Sequence, residues 1–109
     1  MEFEKGEENR IFNEILLKLK KQGYTQYENY NKFEYEEETT VAIFLKREKG
    51  TEVRISKEDL KLVIKEFIKD PKLYFGGPSS LRDLGITHVN SPVHSLLHLL
   101  PKSSYYESN

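Results

Sequence analysis

Five consecutive apolar residues, Val41-Ala42-Ile43-Phe44-Leu45, interrupt an otherwise highly charged chain. A run this short, rich in β-branched and aromatic side chains, suits a central strand buried at least partly on both faces. It constrains its neighbours, because such a strand needs partners on either side. Glu48-Lys49-Gly50 supplies a turn, and Glu52 to Ile55 places Val53 and Ile55 on one face of a following strand. Upstream, the tyrosine-rich stretch from Tyr24 to Tyr35 reads as an irregular segment entering an edge strand, with Phe33 and Tyr35 alternating with charged residues. The expected sheet is three-stranded and antiparallel.

Two amphipathic stripes of helical period flank these strands. Ile11, Phe12, Ile15, Leu16 and Leu19 predict a helix over residues 8–22. Lys18, Lys20 and Lys21 lie at its negative end, and Gly23 stops it. Leu60, Val63, Ile64, Phe67 and Ile68 predict a second helix over 57–69. Ser56 is its capping residue, with Asp59 at the reciprocal position, and Asp70-Pro71 ends it. Beyond Gly76-Gly77-Pro78, Ser79 and Ser80 open a short helix that Gly85 terminates. Ser91-Pro92 opens another, with Val93, Leu96, Leu97 and Leu100 on its apolar face and Pro101 as its stop. The expectation is therefore one α+β domain over 1–109. Its core runs α-β-β-β-α, two short C-terminal helices follow, and residues 1–7 and 102–109 are flexible.

Composition narrows the chemistry. Without cysteine there are no disulfides, thiolate metal ligands or cysteine nucleophiles. No apolar run approaches the roughly 18 residues of a membrane span. The start, Met1-Glu2-Phe3-Glu4-Lys5, lacks the apolar stretch of a signal peptide. A cytoplasmic protein that does not enter membranes is expected. The net charge of −1 gives no global basic signature. Charge instead comes in alternating blocks, acidic over 1–9, basic over 10–25, acidic over 26–40 and basic over 41–57.

The segment Ser79–Leu100, a short helix, Gly85, Ile86 and a second helix, resembles the organisation of a helix-turn-helix. That resemblance implies DNA or RNA as partner. The reading helix would offer Asn90, His94 and His98, and Arg82 precedes it. Arg47, Lys49 and Arg54 of the hairpin would touch phosphates. The connection from Gly85 to Asn90 is longer than usual, and the reading helix carries no Arg or Lys before Lys102.

His94 and His98, four residues apart, would share a helical face, with His88 nearby in sequence. Two imidazoles at that spacing can reach one metal, but they also pack locally, and the glutamate of a zinc-protease helix is missing. No metal, cofactor or catalytic residue is assigned. The order helix, three strands, helix over residues 8–70 is similar to that of double-stranded RNA-binding domains, although the lysines at 57, 61, 65 and 69 are interrupted by acids. On the sheet, Val41, Ile43, Leu45, Val53 and Ile55 are expected to face the helices. Ala42, Phe44, Lys46 and Arg54 then face the other way, where the C-terminal helices are expected to cover them. Glu34, Glu36, Glu37 and Glu38 read as solvated carboxylates. The expected function is non-enzymatic nucleic-acid binding or regulation. The alternative is a protein-interaction module, as a homodimer or with another protein.

Overall fold

A computed structural model describes residues 7–86 and 89–105. Helix α1 spans Glu7–Gln22 and leads into strand β1, Tyr24–Thr25. Strands β2 (Phe33–Glu38), β3 (Ala42–Arg47) and β4 (Glu52–Ser56) follow. Helix α2, Lys57–Lys69, then starts without a loop. A 3₁₀ segment at Pro71–Phe75, another at Pro78–Leu84, helix α3 at Asn90–Leu97 and a 3₁₀ turn at Lys102–Ser104 complete the order.

The sheet is an antiparallel meander of four strands in the order β1-β2-β3-β4. The expected α+β core is present, with one strand more than the periodicity predicted. Two residues show no period, so Tyr24–Thr25 is invisible to pattern reading. The strand forms because Gly23, at φ +87°, reverses the chain out of α1, and because Thr25 is clamped to α3.

Ile43 and Leu45 of β3, Val53 and Ile55 of β4 and Phe33 of β2 are buried beneath α1 and α2. Val41 lies just before β3 and is exposed, not turned to the helices as expected. Ser56 caps α2 as predicted by accepting from the Asp59 N–H. α3 begins at Asn90 with no side-chain cap, so Ser91 is inside the helix rather than at its cap. Pro92 then falls in the first turn, where a missing N–H leaves no helical bond unmade. The segment Pro78–Leu84 is 3₁₀ rather than α-helical, and Gly85 closes it at φ +91°.

Two expectations about the C-terminal part are corrected. α3 does not cover the far side of the sheet. It packs on α1, β1 and the Pro78–Leu84 segment, on the same side as the other helices, and its Val93, Leu96 and Leu97 join the one buried cluster. The chain after Leu100 is not loose up to Tyr105 either. The Tyr105 ring is buried and its hydroxyl donates to the Leu97 carbonyl.

Candidate functional site

The residues singled out in the sequence fall into two separate groups. The first surrounds α3. Pro92 through Leu97 are all buried, His94 and Ser95 included at 2% exposure each. A helix that reads DNA must present one face to a groove. α3 has sunk that face into the protein, because its contacts with β1, α1 and the preceding 3₁₀ segment surround it. The helix-turn-helix expectation therefore finds no support in this packing.

The polar atoms of this group hold the chain together. Asn90 Nδ2 donates to the Pro78 carbonyl at 3.1 Å, tying the start of α3 to the start of the 3₁₀ segment. His94 Nε2 lies 3.0 Å from the Gly76 carbonyl oxygen. His98 Nδ1 is 2.8 Å from the His94 carbonyl and its Nε2 is 2.7 Å from that of Tyr74. The ring centroids of His94 and His98 are 4.3 Å apart, so the i,i+4 spacing does bring them together. Three of their four nitrogens, His94 Nε2 and both of His98, nevertheless point at backbone carbonyls rather than at a common centre. Among the described residues no group of three histidine, aspartate or glutamate side chains could hold a metal. His88 lies outside the described residues.

Aromatic rings complete this packing. Tyr27 sits with its centroid 4.2 Å from that of His98, and Tyr74 is 4.3 Å from it on a tilted contact. Tyr30 stacks on Tyr27 at 5.9 Å, and Phe67 of α2 meets Tyr105 at 5.5 Å. Burial pushes the His94 pKa down, partly offset by the Gly76 carbonyl, with neighbouring His98 lowering it further. Burial likewise raises the Tyr27 hydroxyl, with Glu28 adding to the shift, and raises that of Tyr74. Beyond the His94–His98 spacing the sequence had no signal for this cluster, because Tyr27, Tyr30, Phe67, Tyr74 and Tyr105 come from separate parts of the chain. Arg82 is exposed on the Pro78–Leu84 segment, apart from the buried face of α3.

The second group lies on the sheet. Register sets Glu34 opposite Lys46 and Lys46 opposite Glu52, and it sets Glu37 opposite Phe44 and Phe44 opposite Arg54. Alternation turns these side chains away from the helices. Glu34, Glu37, Lys46, Glu52 and Arg54 are exposed and Phe44 is half-buried. Arg47 stands at the hairpin end with its guanidinium carbon 5.3 Å from the Phe33 ring centroid, and Lys49 is exposed in the turn. Arg47, Lys49 and Arg54 thus share one hairpin. The structure does not bring them to Asn90, His94 or His98: Arg54 lies on the open face, and Arg47, opposite Phe33 on the helix side, is separated by β2 from the β1 edge that α3 borders.

One carboxylate departs from the expected solvated row. A β-bulge between Tyr35 and Glu37 inserts Glu36 and shifts the alternation by one residue, so that Glu38 pairs with Ile43 on the helix side. There it bridges Lys20 of α1 and Lys57 of α2, the latter at 2.6 Å. Hydrogen bonds from Lys20 and Lys57 pull the Glu38 pKa down, and Glu38 in turn raises that of Lys20. Its role is to pin two helices to the end of β2.

Comparison with protein families, with curated proteins and with solved structures found no match. Among the described residues no helix is long and apolar enough to cross a membrane.

Proposed function

We propose that this chain is a non-enzymatic protein-interaction module whose contact surface is the uncovered face of its sheet. The observation that carries this reading is the sign pattern there. Glu34, Lys46 and Glu52 form one row across the strands, and Glu37, Phe44 and Arg54 form the next. A phosphate backbone rewards one sign of charge, and three carboxylates spread among two cations oppose it. A protein partner can complement both signs around a central aromatic ring, which is how interfaces gain specificity. The burial of α3 supports the same choice by removing the helix that would have read bases.

A photo-reactive phenylalanine analogue at Phe44 tests this in living cells, with the same group at exposed Glu58 of α2 as control. The reading expects a defined protein adduct from position 44 that is absent from position 58 and weakened by Lys46→Glu. Adducts with nucleic acid, or adducts indifferent to position, would overturn it.

A second reading keeps nucleic acid as the partner, through the hairpin alone. The observation in its favour is that Arg47, Lys49 and Arg54 share that hairpin with Lys46. It requires binding to DNA or RNA that falls steeply with salt and is lost in a Lys49→Ala, Arg54→Ala double variant. The interaction-module reading expects no binding at low salt.

A further inference from the structure

Among the described residues β4 is an edge strand of the sheet, and its backbone is laid out for one more partner. At one end of the β3–β4 ladder the Arg47 N–H donates to the Thr51 carbonyl, and at the other the Lys57 N–H donates to the Val41 carbonyl. Antiparallel alternation then turns the backbone groups of residues 51, 53, 55 and 57 towards β3. The N–H and C=O groups of Glu52 and Arg54 point out of the sheet edge.

The side chains of those same two residues carry opposite charge. Each ends a row on the open face: Glu52 closes the row of Glu34 and Lys46, and Arg54 closes the row of Glu37 and Phe44. Among the described residues neither forms an ion pair within the chain. Acid and base two residues apart on one edge are self-complementary under twofold symmetry.

We infer that two copies of this chain pair along β4, antiparallel about a twofold axis through Val53, with Glu52 of each opposite Arg54 of the other. The inference deepens the interaction-module reading and rests on it, naming a second copy as one partner. Backbone and charge select the same register. Only outward-pointing residues can exchange hydrogen bonds, which leaves registers that differ by two-residue steps. Centring the axis on Glu52 faces carboxylate with carboxylate, and centring it on Arg54 faces guanidinium with guanidinium. The register centred on Val53 makes both facing pairs attractive and lets both exchange N–H···O=C bonds. It also extends the row Glu34, Lys46, Glu52 with the second copy's Arg54, continuing the alternation of sign. Val53 meets its own copy beneath the sheet as a close, non-hydrogen-bonded pair. The charges that admit this partner also discourage unmatched strands from the same edge.

Charge exchange tests the register. An interface of one short strand per copy lies at the small end of specific interfaces, so dissociation constants of ~10–100 μM are expected and sedimentation at low salt is the suitable readout. Glu52→Arg alone makes both facing pairs cationic, and Arg54→Glu alone makes both anionic. Each should weaken self-association by roughly tenfold to a hundredfold. The E52R/R54E chain restores both attractions and should dimerise again. Mixing the two single variants should give a heterodimer, because each then offers the charge that the other lacks. Both residues are exposed, so the variants should keep the native circular dichroism spectrum. A chain that stays monomeric at ~100 μM, or a dimer indifferent to every exchange, would overturn the inference. The photo-adduct at Phe44 separates the two failures: if it persists with another protein while the chain stays monomeric, the dimer falls and the interaction-module reading stands.

Discussion

Removing one hydroxyl from Thr25 should loosen α3 from the sheet by more than removing its partner hydroxyl from Ser95. Both residues are buried, and Thr25 Oγ1 lies 3.1 Å from the Ser95 carbonyl and 2.8 Å from Ser95 Oγ. If Thr25 gives its single proton to the carbonyl, Ser95 must donate to Thr25 Oγ1. Thr25→Val keeps the volume but deletes both bonds and leaves the Ser95 hydroxyl buried without its acceptor. A lost neutral bond costs about 1 kcal/mol and an orphaned donor about 1–3 kcal/mol, so a loss of about 2 kcal/mol is expected. Ser95→Ala deletes one bond only, because Thr25 still reaches the backbone carbonyl. The better helix propensity of alanine offsets part of that, leaving about 0.5 kcal/mol. In the double variant nothing is orphaned, since the Ser95 carbonyl still accepts from the His98 N–H at 3.2 Å. It should be about 1 kcal/mol more stable than Thr25→Val alone. Urea unfolding followed by circular dichroism measures all three. Single-variant losses that simply add, or a Ser95→Ala loss exceeding that of Thr25→Val, would refute this account of the joint.

Acid should destabilise the protein in two stages. Burial holds the His94 pKa below its ordinary value of 6.5, so the unfolded chain binds that proton more readily. Stability is then full above pH 6.5 and falls as pH drops through the window below it. The Glu38 pKa is also lowered, from 4.5, so its contribution is present above that pH and is lost as pH falls through the folded value. Urea midpoints at stepped pH should show both stages, with His94→Gln flattening the first and Glu38→Gln the second. Equal slopes in the wild type and the matching variant would refute the assignment. Gly85, at φ +91°, has open space for 4 Å around the point where a Cβ would stand, so Gly85→Ala tests backbone strain alone. It should cost about 1 kcal/mol, or about 4 °C in Tm. Gly77→Ala, at φ −79° and equally uncrowded, should be near neutral, and equal effects would count against the strain argument.

Periodic elements were legible because their pattern is local. The stripe from Ile11 to Leu19, the run around Ile43 and Leu45 and the stripe from Leu60 to Phe67 each specify an element and its buried face by spacing alone. Ser56 and Gly85 marked their boundaries because capping and left-handed φ depend on one residue's chemistry. The site was less legible. Asn90, His94 and His98 have the composition of a polar helix face, and nothing in their spacing says whether that face meets water or protein.

By itself the sequence determined the α+β class, the positions of α1, α2 and the β3–β4 hairpin and the inward turn of Ile43, Leu45, Val53 and Ile55, since periods of 2 and 3.6 residues are written into neighbouring positions. Only the tertiary structure decided three further matters. It added β1, which stands because Thr25 meets Ser95 seventy positions away. It sank α3 among carbonyls and rings, turning His94 and His98 inward. Among the described residues it left the far side of the sheet open, with Glu52 and Arg54 at the edge, because α3 joined the helical layer instead of crossing to the other side. Each depends on contacts between residues distant in sequence, and local spacing carries no record of those.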